Sequence, residues 1–172
     1  MLCDRVAADP IDPDKPADVR GTTEIAAGDV ATAIKFCKIA STKSRRALYQ
    51  LGRAYAANGQ WAKALATIRK APDRGSTSAM VELGVMLAMG TGGPKDEAGA
   101  RKLFERAAEA GNPRGATNLA APSERHGVPS DPAKTRAVLE KGVEANSAEA
   151  HYQLGLIMAE GIDPVAELRQ QL

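Results

Sequence analysis

The sequence predicts an all-α protein, an α-solenoid of stacked antiparallel helix hairpins. Three observations carry that expectation. First, a six-residue signature recurs four times: Ala47-Leu48-Tyr49-Gln50-Leu51-Gly52, Ala79-Met80-Val81-Glu82-Leu83-Gly84, Gly115-Ala116-Thr117-Asn118-Leu119-Ala120 and Ala150-His151-Tyr152-Gln153-Leu154-Gly155. Its register advances by 32 residues (47 to 79), 36 (79 to 115) and 35 (115 to 150), a period that marks stacked hairpins rather than a closed globule. Second, each signature is flanked by a second helical pattern. Third, β-branched runs with period two are absent, so strands are not expected.

Residues 1–28 stand apart as a proline-rich arm. Pro10, Pro13 and Pro16 alternate with Asp9, Asp12 and Asp14, which predicts an extended or turn-rich segment rather than a helix. Residues 29–172 form the helical repeat domain: a lone helix at 29–41, repeats at about 45–75, 78–111 and 113–146, and a partial repeat at 147–172.

The second helices repeat as Ala33, Ile34, Cys37 and Ala40, then Ala64, Leu65, Ile68 and Ala71, then Ala100, Phe104 and Ala107, and more loosely Thr135, Leu139 and Gly142. Small residues at helical spacing let two backbones approach, and larger apolar side chains fill the remainder. With one Trp, three Tyr and two Phe in 172 residues, the core must be built from aliphatic side chains. Trp61 starts the second helix of the first full repeat and Pro72 stops it.

Asn112-Pro113, Asp131-Pro132 and Asp163-Pro164 each place a capping residue before a proline at the first helical position. Asn146 with Glu149 resembles a capping box. Gly59, Gly90, Gly111, Gly127 and Gly161 follow apolar-periodic runs, where a left-handed residue ends a helix. The third repeat is irregular. Pro122 falls inside its first helix, which should kink or end near Ala121, leaving Ser123–Gly127 as a turn or a displaced short helix. In the tail, Asp163 caps a last short helix with Val165 and Leu168 on one face.

The central repeat has the pattern Ala79-x-x-x-Leu83-Gly84, the turn Gly90-Thr91-Gly92-Gly93-Pro94-Lys95-Asp96, then Ala100-x-x-x-Phe104-x-x-Ala107-Ala108-Glu109-x-Gly111. It resembles the SEL-one-like repeat, a relative of the tetratricopeptide repeat. The first repeat, with its short Asn58-Gly59-Gln60 turn, is closer to a plain tetratricopeptide repeat, and the likeness spans residues 30–161. The resemblance implies a right-handed α/α superhelix that binds other proteins and carries no catalytic residue. It also implies that such repeats accompany enzyme domains, caspase-like peptidases among them.

Cys3 and Cys37 are the two cysteines. A disulfide between them would staple the arm over the open end of the solenoid, where a terminal repeat has no neighbour. Closing a loop of that length stabilises by roughly 3–4 kcal/mol in the chain-entropy model. The other reading is two unrelated thiols. The start Cys3-Asp4-x-x-Ala7-Ala8-x-Pro10-x-Asp12-Pro13 also resembles the N-terminal arm of exported bacterial proteins with this repeat. With the disulfide the compartment is oxidising, periplasmic or secreted; without it, cytoplasmic. No signal peptide is visible in this numbering.

The chemistry of catalysis is not apparent. His126 and His151 have no third ligand at metal-like spacing. Gly90–Asp96 lacks the strand and the final Gly-Lys-Ser/Thr of a phosphate loop, and reads as an inter-helix turn. Glu105 and Glu109 form a solvated stripe. The net charge of +2, from 23 basic and 21 acidic residues, does not call for nucleic acid. Lys43-Ser44-Arg45-Arg46 reads as a solvated turn, and no stretch of 18 apolar residues predicts a membrane span. No cofactor or metal is expected, and the chain is not expected to be an enzyme.

A binding surface remains. In stacked hairpins the first helices line the concave side. Tyr49, Arg53, Val81, Val85, Thr117, Tyr152 and Leu156 should face inward, with Arg46, Met89 and Arg114 one turn away. Tyr and Arg are enriched at binding hot spots; the Val and Leu members serve equally well as packing within the superhelix. The sequence therefore points to a scaffold or adaptor holding a peptide or protein segment in this groove. The alternative is a structural spacer or accessory subunit assembled with a catalytic domain such as a peptidase.

Overall fold

The computed structural model describes residues 1–120, 132–144 and 148–159. Among them the chain is helical, with no strand. A short helix α1 (Leu2–Ala7) opens the arm, and α2 (Val30–Ala40) is the lone helix. The first full repeat is α3 (Arg45–Ala57) and α4 (Trp61–Ile68); the second is α5 (Thr77–Met89) and α6 (Glu97–Glu109). Then come α7 (Pro113–Ala120), α8 (Pro132–Glu144) and α9 (Ala148–Ala159). Each helix packs on its chain neighbours, α2 on α3, α3 on α4, α5 on α6, α6 on α7 and α8 on α9, which is the order of an α-solenoid. The irregular turn around Pro122, with Ser123–Gly127 and His126, lies outside the described residues. So do Asp131, Asn146, Gly127, Gly161 and the tail from Asp163.

The first helices begin on side-chain caps. Ser44 Oγ accepts from Ala47 N (3.2 Å), Ser76 Oγ from Ala79 N (3.3 Å) and Asn112 Oδ1 from Arg114 N (3.1 Å). Each cap stands three residues before the signature's small residue, so the repeat unit begins earlier than the six-residue signature suggests. Gly59, Gly90 and Gly111 take the left-handed conformation at helix ends, with φ of 69°, 73° and 83°.

Two buried clusters make up most of the described core. The larger unites both full repeats through Leu48, Leu65, Ile68, Val81, Leu83 and Phe104. The other joins the arm to α2 and α3 through Cys3, Ala7, Val30, Ala33, Cys37 and Leu51. The signature glycines are where helices touch. A Cβ at Gly52 would lie 2.1 Å from Ile68 Cγ1, and one at Gly84 2.5 Å from Phe104 Cε1.

The arm departs from expectation in one respect. It was expected to be non-helical, yet α1 occupies Leu2–Ala7. No proline precedes Pro10, and a single turn and a half places Cys3 and Ala7, four apart, on one buried face. The Cys3 and Cys37 sulfurs lie at disulfide distance, with Cα atoms 4.8 Å apart. That spacing falls in the range of about 4.4–6.8 Å that disulfides use.

Candidate interaction groove

The arm does more than cover α2. After α1 it forms a turn-rich loop that crosses the first helices α3, α5 and α7. Side chains of the arm build that loop. Asp9 Oδ1 accepts from Ile11 N and Asp12 Oδ1 from Asp14 N, both at 3.1 Å, so each aspartate closes its own Asx turn. Thr22 N donates to Ala8 O at 2.7 Å and shuts the loop. Gly21, at φ 76°, is required there: a Cβ would sit 2.8 Å from Pro10 Cα.

The arm's carboxylates enter one after another, each received by a first helix. Arg46 grips Asp4 with two bonds, Nε to Oδ1 at 2.8 Å and Nη2 to Oδ2 at 3.2 Å. Buried Gln50 adds a third to Asp4 Oδ1 at 3.1 Å. Tyr49 donates its hydroxyl to Asp9 Oδ2 at 2.6 Å, and Arg114 Nη1 lies 3.6 Å from the same oxygen. Ser78 donates to Asp12 Oδ1 at 2.9 Å, and Arg45 grips Asp14 through Nε (2.7 Å) and Nη2 (2.6 Å). Arg53 reads main chain instead: Nη1 donates to Ala7 O (2.8 Å), and Nη2 to Thr22 O and Thr23 O (both 2.7 Å).

Electrostatics separates these seats. Burial works against the Asp4 carboxylate, but the bonds from Arg46 and Gln50 and the Arg46 charge outweigh it and hold Asp4 below its ordinary pKa. Asp12 has no such cation. Burial, with the nearby Asp14 and Asp9 charges, pushes it up against bonds from the Asp14 amide and Ser78, and its Oδ2 is buried without a hydrogen bond. Burial and the Asp9 and Glu82 charges drive the Tyr49 phenol far up, so it stays a donor. Burial likewise raises Glu82 of α5, against the charges of Arg114 and Arg53.

The residues expected to line a groove thus divide. Arg46, Tyr49, Arg53 and Arg114 meet the arm. Val81 is fully buried in the core and Val85 packs against it. Thr117, half-buried, donates to Pro113 O at 3.1 Å. Met89, Tyr152 and Leu156 are exposed. Between the arm and α3, α5 and α7 a cavity of about 590 Å³ remains, lined in part by Asp9, Tyr49, Arg53, Glu82, Arg114 and Trp61.

The basic cluster at Lys43–Arg46 is corrected by this arrangement: Arg45 and Arg46 hold Asp14 and Asp4 rather than facing only solvent. Two signals in the sequence could have suggested it. The arm carries Asp4, Asp9, Asp12 and Asp14, and the first helices carry Arg45, Arg46, Arg53 and Arg114. Among the described residues no group of three or more His, Cys, Asp or Glu is placed to hold a metal, and His151 is exposed on α9. No helix among them is long and apolar enough to cross a membrane.

Stacked helix hairpins with arginine, tyrosine and serine side chains gathered on the first helices define a helical-repeat protein. Comparison with known proteins gives the family. The model for the Sel1 repeat matches residues 77–112 and 148–167, and a tetratricopeptide-repeat model matches residues 24–83. Residues 24–112 and 148–167 are thus similar to Sel1-like, tetratricopeptide-related repeats. A crystal structure of a Sel1 repeat protein from Oxalobacter formigenes superposes with a TM-score of 0.60 at 22% identity, over 81% of this chain and 58% of that one. The chain therefore spans little more than half the length of that relative, and the likeness is one of fold. No curated protein matches the chain. Repeats of these families generally mediate protein–protein interaction and are typically non-catalytic scaffolds.

Proposed function

We propose that the protein is a non-enzymatic interaction scaffold that holds a peptide or protein segment on the concave face of its first helices. One observation carries this reading. Arg45, Tyr49, Arg53 and Ser78, on α3 and α5, already grip the non-helical part of the chain's own arm, beyond α1, by its carboxylates and its carbonyls. A surface that clasps main chain with Arg and reads side chains with Tyr, Arg and Ser is chemically equipped for peptide. Beyond the arm, exposed Met89, Tyr152 and Leu156 would continue the groove. The partner is a protein rather than a nucleic acid, and the sulfur pairing of Cys3 with Cys37 supports a periplasmic or secreted setting.

The test is site-specific photo-crosslinking. A benzophenone side chain at Leu156 should capture a partner, whereas one at exposed Arg69, just past the end of α4, should not. Equal capture at both positions, or none at Leu156, would count against the groove. A second reading, a spacer or accessory subunit assembled with a catalytic domain, gains support from the arm filling part of the face on which a scaffold would dock its partner.

A further inference from the structure

The arm's contacts say more about the groove than that it is covered. Four arginines meet the arm: Arg45, Arg46 and Arg53 of α3 and Arg114 of α7. Removing the arm would leave this set, with Tyr49 and Ser78 between them, as a basic, donor-rich surface on three successive first helices.

The occupant fits imperfectly beyond α1. Asp12 Oδ2 is buried without a hydrogen bond. Arg114 Nη1 is also buried without one, since 3.6 Å to Asp9 is an ion-pair distance rather than a hydrogen bond. The open cavity of about 590 Å³ is lined by Asp9, Ile11, Thr23 and Glu24 of the same stretch and by Arg114. By contrast α1 is firmly seated, with Cys3 and Ala7 in the core and Asp4 bonded to Arg46 and Gln50. The arm thus has a fixed root and a loop, residues 8–24, that leaves buried donors and acceptors unsatisfied.

We propose that residues 8–24 are a displaceable internal plug, and that the seats of Asp9 and Asp14 take an aspartate-rich, turn-forming segment of a partner protein. This rests on the scaffold reading and names its partner's chemistry. The Cys3–Cys37 pairing keeps the plug at high effective concentration, so a partner must out-compete it. Charge complementarity selects the occupant: the seats offer guanidinium and phenol donors, which carboxylates satisfy and basic or apolar side chains do not.

The experiment uses the full chain and, as probe, a fluorescein-labelled synthetic peptide of residues 4–24. Fluorescence anisotropy is read for wild type, for the plug variant Asp9→Ala/Asp14→Ala, and for the seat variant Arg114→Ala placed on that plug variant. Weakening the plug should tighten probe binding by at least about tenfold, because the competitor at high effective concentration is weakened. Adding Arg114→Ala should reverse the gain. A peptide with Asn at positions 9 and 14 should not compete. A merely structural role would move both sets of substitutions in the same direction. Equal binding to wild type and plug variant, or full competition by the Asn peptide, overturns the proposal.

Hydrogen exchange on wild type provides a second measurement that needs no variant. Excess probe should speed exchange at residues 8–24 and leave α1 protected; no change there overturns the proposal. Dimerisation of wild type with rising concentration would give the seats to the arm of a second copy and overturn a foreign partner. Capture at Leu156 without probe binding defeats this inference alone, whereas probe binding without capture at Leu156 defeats the scaffold reading as tested there.

Discussion

The Phe104 ring lies on the backbone of Gly84: a Cβ built at Gly84 would stand 2.5 Å from Cε1 and 2.9 Å from both Cδ1 and Cζ. Phe104 is wholly buried and has no room to withdraw. Gly84→Ala should therefore destabilise the protein by about 1–3 kcal/mol through overpacking, even though alanine favours helix over glycine. Gly155 occupies the same signature position on α9, with no atom of the described residues within 4 Å of a Cβ built there. There Gly155→Ala should stabilise by about 0.5–1 kcal/mol. Chemical denaturation of the two variants checks the pair, and equal effects would show that the glycines do not mediate helix contact.

Tyr49→Phe removes the hydroxyl that donates to Asp9 at 2.6 Å. Asp9 is 8% exposed, so its carboxylate loses a buried partner. The expected cost is about 1–3 kcal/mol, concentrated in the arm. Hydrogen exchange should quicken at residues 8–24 and remain slow in α5 and α6, because repeats mainly feel their neighbours.

Asp12 and Asp4 give pH effects of opposite sign. The folded pKa of Asp12 is raised, so its contribution to stability is fully present below its unfolded value and is lost as pH rises through the folded one. Asp12→Asn should then raise the melting temperature at neutral pH, with the gain vanishing below about pH 4, the ordinary aspartate range. Asp4 is depressed, so its contribution is present above its unfolded pKa and is lost as pH falls through the folded value. Asp4→Asn should cost stability at neutral pH and flatten the acid limb. Melting curves of both variants from pH 3 to pH 8 check the signs.

Reducing the Cys3–Cys37 pair should loosen residues 3 to about 25 and leave α3 to α6 folded. The loss is about 3–4 kcal/mol by chain entropy, carried mainly by the N-terminal cluster of Cys3, Ala7, Val30, Ala33 and Leu51. Exchange measured with and without reductant reads this directly. Two free sulfhydryls in freshly unfolded, unreduced protein would remove the staple.

The solenoid is legible in local sequence. Signature, period and caps are local: Ala47, Leu51 and Gly52 need only a helix and one neighbouring hairpin to have their meaning, and the neighbour is a copy of the same pattern. Helix starts at Arg45, Trp61, Glu97, Pro113 and Pro132 follow from residues within a turn of each start. The pairing of Cys3 with Cys37 was also legible, because two cysteines allow one partnership and α2 needed a cover.

What the first helices face is set by contacts between residues far apart in the chain. Arg53 and the carbonyls of Thr22 and Thr23 are about 30 residues apart, Tyr49 and Asp9 are 40, and Ser78 and Asp12 are 66. No periodicity encodes those pairs, because the arm is not a repeat and its path depends on turns closed by Asp9, Asp12 and Gly21 together. Val81 shows the same limit from within the repeat. Its position two before the signature leucine predicts an inward-facing residue, but whether inward means groove or core depends on how closely the next helix approaches. That approach is set by contacts such as Phe104 on Gly84, and it leaves Val81 with no exposed surface.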